Sequence, residues 1–286
     1  MLLYWFVWLL SLPAQAAEPF TQGLLFSINK TGYEQSYVFG TIHSGRPEVL
    51  ALQPEVQQAF DEADHFVMEA VIQAPAILSS LADLWLTDGH TLQQVIGADL
   101  YQLVIETGEQ QGIPAATFIY MKPWVVMVMF SMPPDNRGQI LDVELMNMAK
   151  ASGKTLTGLE SIQQQFDVFD QLSIADQKIL LAETLKNYPQ LPMQFEKLLR
   201  AYQERDLGKL QQIAADSQGS SQRVKQASER AMQRLLEQRN LKMVDKMEKL
   251  IVRGKHFIAV GALHLPGDKG VLKLLEDKGF SIRRVY

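Results

Sequence analysis

The chain contains no cysteine. That one absence removes disulfides, thiolate metal ligands, lipid-attachment sites and cysteine nucleophiles, so any metal site must be built from His and carboxylates. An excess of positive charge is missing too: 27 basic residues stand against 32 acidic ones, a formal net charge of −5. No basic stripe marks a nucleic-acid partner, and none is expected. Residues 198–255 are richer in Lys and Arg, but Glu and Asp alternate with them, as on solvated helix faces. Several catalytic signatures are absent as well. There is no His-Glu-x-x-His and no Gly-x-Ser-x-Gly, and Ser152-Gly153-Lys154-Thr155 fails as a P-loop because Met148 stands where Gly is needed. Repeats and low-complexity tracts are missing, while 47% hydrophobic residues in 286 suffice for a full core.

Charged side chains are absent from the first sixteen residues, MLLYWFVWLLSLPAQA. Their apolar stretch is short for a membrane span, Pro13 breaks it, and Ala14-Gln15-Ala16 satisfies the small-x-small rule for cleavage before Ala17. Residues 1–16 are therefore expected to be a signal peptide that exports residues 17–286, as a single domain, across the inner membrane to the periplasm. Membrane attachment is expected only if that segment stays uncleaved.

What the chain does have is a repeated frame. SYVFGTIH closes on His43 and FIAVGALH closes on His264, each an apolar β-prone run ending in Gly-x-x-His. Composition alone gives about 0.3 such matches by chance. The flanks repeat as well. Residues 22–30 and 35–42 predict a hairpin, followed by the loop after His43, a helix over 54–64 and a strand over 65–72. Near the other end come a strand over 256–263, a loop, a helix over 270–278 and a strand over 280–286. Both ends spell strand, Gly-x-x-His, loop, helix, strand, the βαβ pattern of parallel strands. The expected class is mixed α/β: β-rich N- and C-terminal βαβ halves form one core, with a long helical insertion over about 75–253. Helices are predicted over 76–86, 98–111, 115–131, 138–152, 161–188, 191–216 and 220–253, with KTLTGL (154–159) as the one strand among them.

Function in open α/β sheets gathers at the carboxyl ends of the strands, where the loops diverge. A His placed there beside a Gly points into that crevice, and two neutral imidazoles with a carboxylate make an open divalent-metal site. Four carboxylates are candidates: Glu69 after the apolar run FVM, Glu160 after KTLTGL, and Asp142 and Glu144 in LDVEL. Glu69 stands out because a buried carboxylate needs a partner. His65, His90 and His256 lack the frame and are expected to be structural or solvent-facing.

GTIH at 40–43, ME at 68–69, KPW at 122–124, LDVEL at 141–145, GKTLTGLES at 153–161, RN at 239–240 and FIAVGALHLPGDKGVLKLLEDKGF at 257–280 occur in that order. Together they resemble the TraB/GumN family, to which the Tiki proteins that cleave Wnt also belong. The resemblance implies an α/β fold shared with erythromycin-esterase-like and ChaN-like proteins, and a metal-dependent hydrolase, peptidase-like in the Tiki branch. It makes His43 and His264 metal ligands or catalytic histidines, and Glu69 a ligand or the general base. Glu160, Arg239 and Asn240 become pocket or oxyanion residues. Where the family has Gly-Ile-Asp, this chain has Gln139-Ile140-Leu141-Asp142, which keeps the Asp but displaces the Gly. The expected cofactor is a divalent ion (manganese, cobalt or zinc), and the expected partner a peptide or small-molecule substrate. The alternative is a non-catalytic periplasmic binding or regulatory protein on the same scaffold; the third reading makes both histidines structural.

Overall fold

The computed structural model describes residues 19–72, 78–132, 140–216 and 221–286. The expected signal peptide lies outside them, as does Gln139. Six strands form one mixed sheet: β1 Leu25–Asn29, β2 Ser36–Thr41, β3 His65–Ala70, β4 Thr155–Glu160, β5 His256–Gly261 and β6 Ser281–Arg284. Their order is β4-β3-β5-β2-β1-β6. β1 and β2 make the expected antiparallel hairpin, closed through Gly32 at φ +88°. β2, β5, β3 and β4 run parallel, and β6 lies antiparallel against β1.

The two halves interleave rather than sit side by side. β5 enters between β2 and β3, so both strands that carry the Gly-x-x-His frame become neighbours. Their register pairs Gly40 with Val260 and Thr41 with Gly261, which offsets the two frames by one residue. β5 stops at Gly261, and Ala262–His264 form a 3-10 turn where a continued strand is predicted. That turn lies across the end of β2: a Cβ on Gly40 would stand 3.1 Å from Ala262 Cα and 2.8 Å from Leu265 Cδ1. The first frame therefore needs its glycine so that the second can pack against it.

β2, β3 and β5 are buried almost end to end, as strands covered on both faces are. Phe39, Phe60, Phe66 and Phe257 form an aromatic cluster at the centre of the main core. The helical insertion carries a second apolar cluster around Phe118, Trp124 and Phe130.

Three predicted long helices are interrupted in the middle, each for a local reason. Pro123 opens Pro123–Ser131 after the 3-10 turn Ala115–Phe118. Ser173 caps Ile174–Asn187 through its hydroxyl and separates it from Ile162–Asp170. Arg205 takes φ +59°, which splits Leu191–Gln203 from Leu207–Asp216. A short helix, Leu92–Ile96, lies outside the predicted ranges; Thr91 and Gln94 cap it reciprocally. Among the described residues no helix is long and apolar enough to cross a membrane.

Candidate active site

β2, β3, β4 and β5 deliver four candidate residues to one edge of the sheet. Glu69 is the penultimate residue of β3 and Glu160 the last of β4, where Ser161 caps the next helix and turns the chain away at once. Beyond β5, the 3-10 turn swings His264 back over the sheet edge. The fifth residue, Arg239, opens the helix Arg239–Ile251, directly after a π-helical turn over Gln233–Gln238. An extra residue per turn there sets where Arg239 and Asn240 point, and such turns gather at functional sites.

Arg239 sits between two carboxylates. Its Nε donates to both Glu160 oxygens at 3.0 Å, and Nη2 reaches Glu69 Oε2 at 2.5 Å. Gly261 N–H donates to Glu69 Oε1 at 2.8 Å, and Gln165 Nε2 to Oε2 at 3.2 Å. Burial pushes the Glu69 carboxyl up, but the neighbouring His264 and Arg239 and the Gly261 amide outweigh it and hold it at about 2. A side chain on Gly261 would crowd this anion: its Cβ would stand 3.3 Å from Glu69 Oε1.

His264 is only 4% exposed. Burial, opposed by the Glu69 charge, lowers it to about 4, so the ring is neutral at pH 7. Nδ1 lies 2.6 Å from Asn240 Oδ1, while Asn240 Nδ2 donates to Lys269 O at 2.8 Å. That network assigns the proton to Nδ1 and leaves a lone pair on Nε2. Nε2 faces Glu69 Oε1 at 3.6 Å and Arg239 Nη1 at 3.3 Å. Two lone pairs that face each other repel, and the Arg239 guanidinium, in contact with both groups, offsets that repulsion.

His43 is held from the other rim. Its Nδ1 lies 2.9 Å from Asp142 Oδ2, and Thr41 Oγ1 donates to Asp142 Oδ1 at 2.7 Å. The bond to Asp142 raises the pKa of the largely exposed His43 ring. Asp142 thus keeps a role although the Gly before it is displaced: it orients the first histidine. Glu144, two residues along, is not among the residues that line the cavity.

His43, Glu69, Arg239 and His264 all line one cavity of about 740 Å³. Its walls are apolar and come from the helical insertion and the strand ends: Ile42, Ile140, Val143, Phe195, Leu198 and Leu236. Its size and its few convergent polar groups match a small-molecule or peptide site. Gln165, Thr41 and these walls escape sequence reasoning. An apolar residue on an amphipathic helix carries no signal that tells core from cavity.

The donors suit a divalent ion in type. Two carboxylates against one guanidinium leave a formal negative charge beside a neutral imidazole. The 3.6 Å between His264 Nε2 and Glu69 Oε1 falls within the span of two ligands at about 2.1 Å from one ion. In number they fall short: among the described residues no three His, Cys, Asp or Glu side chains converge closely enough to hold an ion.

The histidines outside the frame are structural or solvent-facing, as expected. His65 and His256 pair across β3 and β5 with ring centroids 4.7 Å apart. His90 is exposed beside Asp88.

The chain is similar to the zebrafish (Danio rerio) protein named metalloprotease TIKI2, 24% identical over 301 residues that cover 87% of this chain and 58% of that one. It is also similar to the uncharacterized protein YbaP of Shigella flexneri, 23% identical over 255 residues, covering 87% of this chain and 90% of the other. No solved structure matches it. The model of the TraB/PrgY/gumN family matches residues 24–284, the whole sheet and everything between its strands, and the chain belongs to that family.

Proposed function

We propose that the chain is an exported, metal-dependent hydrolase with peptidase-like chemistry, acting on a peptide or small molecule held in the 740 Å³ cavity. One observation carries the reading: an ionised Glu69 and the lone pair of a neutral His264 face each other 3.6 Å apart at the end of an apolar cavity. His264 and Glu69 would hold the ion, and His43 would have to swing in from the opposite rim to complete the set, with manganese, cobalt and zinc as candidates. A divalent ion there would supply a more acidic water and polarisation of a substrate carbonyl. Glu69 would serve either as a ligand or as the general base that takes a proton from the attacking water. Arg239, fixed by Glu160, would supply positive charge near a developing oxyanion. Asn240 and Asp142 set the tautomers of the two histidines. The likeness to a protein named a metalloprotease supports hydrolysis, and the uncharged, Ala-x-Ala-terminated leader supports export to the periplasm.

The test is elemental analysis of the purified protein beside its His43→Ala/His264→Ala variant, followed by peptide cleavage with and without chelator. Near-stoichiometric divalent metal in the first, little in the second, and cleavage that stops on chelation are the expected results. Cleavage that persists in His264→Ala would overturn the reading.

One contact favours the alternative, a non-catalytic binding protein on this scaffold. Arg239 Nη1 lies 3.3 Å from His264 Nε2 and uses the lone pair that a metal would need. That reading expects no metal in either protein after reloading, and peptide binding that survives loss of both histidines.

A further inference from the structure

Arg239 divides its donors between two directions. On one side Nε donates to both Glu160 oxygens at 3.0 Å, Nη1 donates to Leu235 O at 3.1 Å, and Nη2 lies 2.8 Å from Glu160 Oε2. On the other side the same two terminal nitrogens reach the groups that an ion would take. Nη1 lies 3.3 Å from His264 Nε2, and Nη2 lies 2.5 Å from Glu69 Oε2. Arg239, Glu69 and His264 all line the cavity, whereas Glu160 and Leu235 do not.

A neutral imidazole has a single lone pair, and on His264 the guanidinium already faces it. An ion between His264 Nε2 and Glu69 Oε1 would need that lone pair and would stand beside the two terminal nitrogens of Arg239. Two cations so close, screened by little water, repel strongly. The ion and the cavity-side contacts of Arg239 therefore exclude each other. The contacts to Glu160 and Leu235 O use none of the same acceptor atoms and can persist. Only 5% of the Glu160 side chain is exposed, and a carboxylate so buried needs its cation. It anchors the guanidinium while the other two contacts break.

We infer that Arg239 is a built-in competitor for the ion: in the ion-free protein it neutralises Glu69 and covers the His264 lone pair, and it yields both by drawing back on Glu160 when an ion enters. This regulation of the site rests on the metal-dependent reading above. Glu160 is a positioning residue, which keeps the guanidinium at hand and sets how tightly the ion is held without touching it.

Cobalt(II) tests this, titrated into the purified protein after metal has been stripped with a chelator. Binding is read by isothermal calorimetry and by the visible absorption of the bound ion. Arg239→Gln/Glu160→Gln removes the guanidinium and its anchor together, so the local formal charge stays that of the native chain. This variant should bind the ion about tenfold more tightly. Glu160→Gln alone, which leaves Glu69 as the carboxylate partner of the guanidinium, should bind about tenfold more weakly. Adding His264→Ala to the paired variant should abolish the gain. Equal or weaker binding in the paired variant, or a gain that survives His264→Ala, would overturn the inference. Equal binding that still depends on His264 would leave the hydrolase reading standing. Binding by the paired variant and none by the native chain would instead uphold the inference and overturn the metal-dependent reading. No binding by any of the proteins would overturn both.

Discussion

Asn240 Oδ1 accepts a hydrogen bond from His264 Nδ1 at 2.6 Å, and the Nδ2 of the same amide donates to the carbonyl oxygens of His264 and Lys269. The amide cannot turn over without losing a buried bond. The proton on His264 therefore stays on the side away from the cavity.

Asn240→Asp exchanges that neutral acceptor for a carboxylate. The imidazolium form gains a partner, so the His264 pKa should rise from about 4 towards neutrality. Proton NMR titration of the His264 ring reads this directly. Loss of activity at pH 6 with recovery at higher pH should accompany it. A His264 titration unchanged in the variant would contradict the tautomer assignment.

Acid sensitivity should come in two windows. His264 falls from 6.5 unfolded to about 4 folded, so its contribution is full above pH 6.5 and is lost as the pH drops towards 4. Glu69 falls from 4.5 to about 2, so its contribution is full above pH 4.5 and is lost below it. Urea midpoints measured from pH 7 to pH 3 should decline through both windows. His264→Gln should flatten the upper window and narrow the lower one, because the His264 charge helps to hold Glu69 low.

His43 runs the other way. Its pKa is raised by Asp142, so the pair stabilises the fold below pH 6.5 and stops doing so as the pH rises through the elevated value. Asp142→Asn should return the His43 titration to an ordinary histidine value. The ring is largely solvent-exposed, so the stability change should stay small while any dependence of activity on His43 shifts with it.

Gly40→Ala should cost about 2 kcal/mol, because the new methyl would press on Ala262 backbone and on buried Leu265. For a chain of this size that lowers Tm by roughly 3–4 °C, measurable by circular dichroism. The same substitution should also loosen the turn that carries His264, so activity should fall more than stability predicts.

Much of this site is legible in the amino-acid sequence itself. The repeated Gly-x-x-His frame locates the two adjacent parallel strands, and the apolar run FVM before Glu69 marks a carboxylate that has to be partnered. The strand ending in Glu160 and the pair Arg239-Asn240 also reach the site. The interleaved strand order is not legible, because nothing in two separate βαβ patterns states which strand enters between which. The π-helical turn is hidden for a similar reason: one extra residue per turn leaves an amphipathic pattern nearly intact. Gln165 carries no signal at all. It looks like a solvent-facing glutamine on a helix, and only the fold shows that it holds Glu69.

The placement of β5 between β2 and β3 also has a kinetic side. Ser36 and His256 meet at the start of β2 and β5, although 220 positions separate them in the chain. Contacts of such long sequence separation are made late, after a large loop has been closed. Until β5 arrives, β2 and β3 have no shared neighbour, Glu69 lacks the Gly261 amide, and His264 is nowhere near the rest. A chain emerging from a ribosome or a translocon therefore carries no assembled site, and its reactive groups come together only as folding finishes.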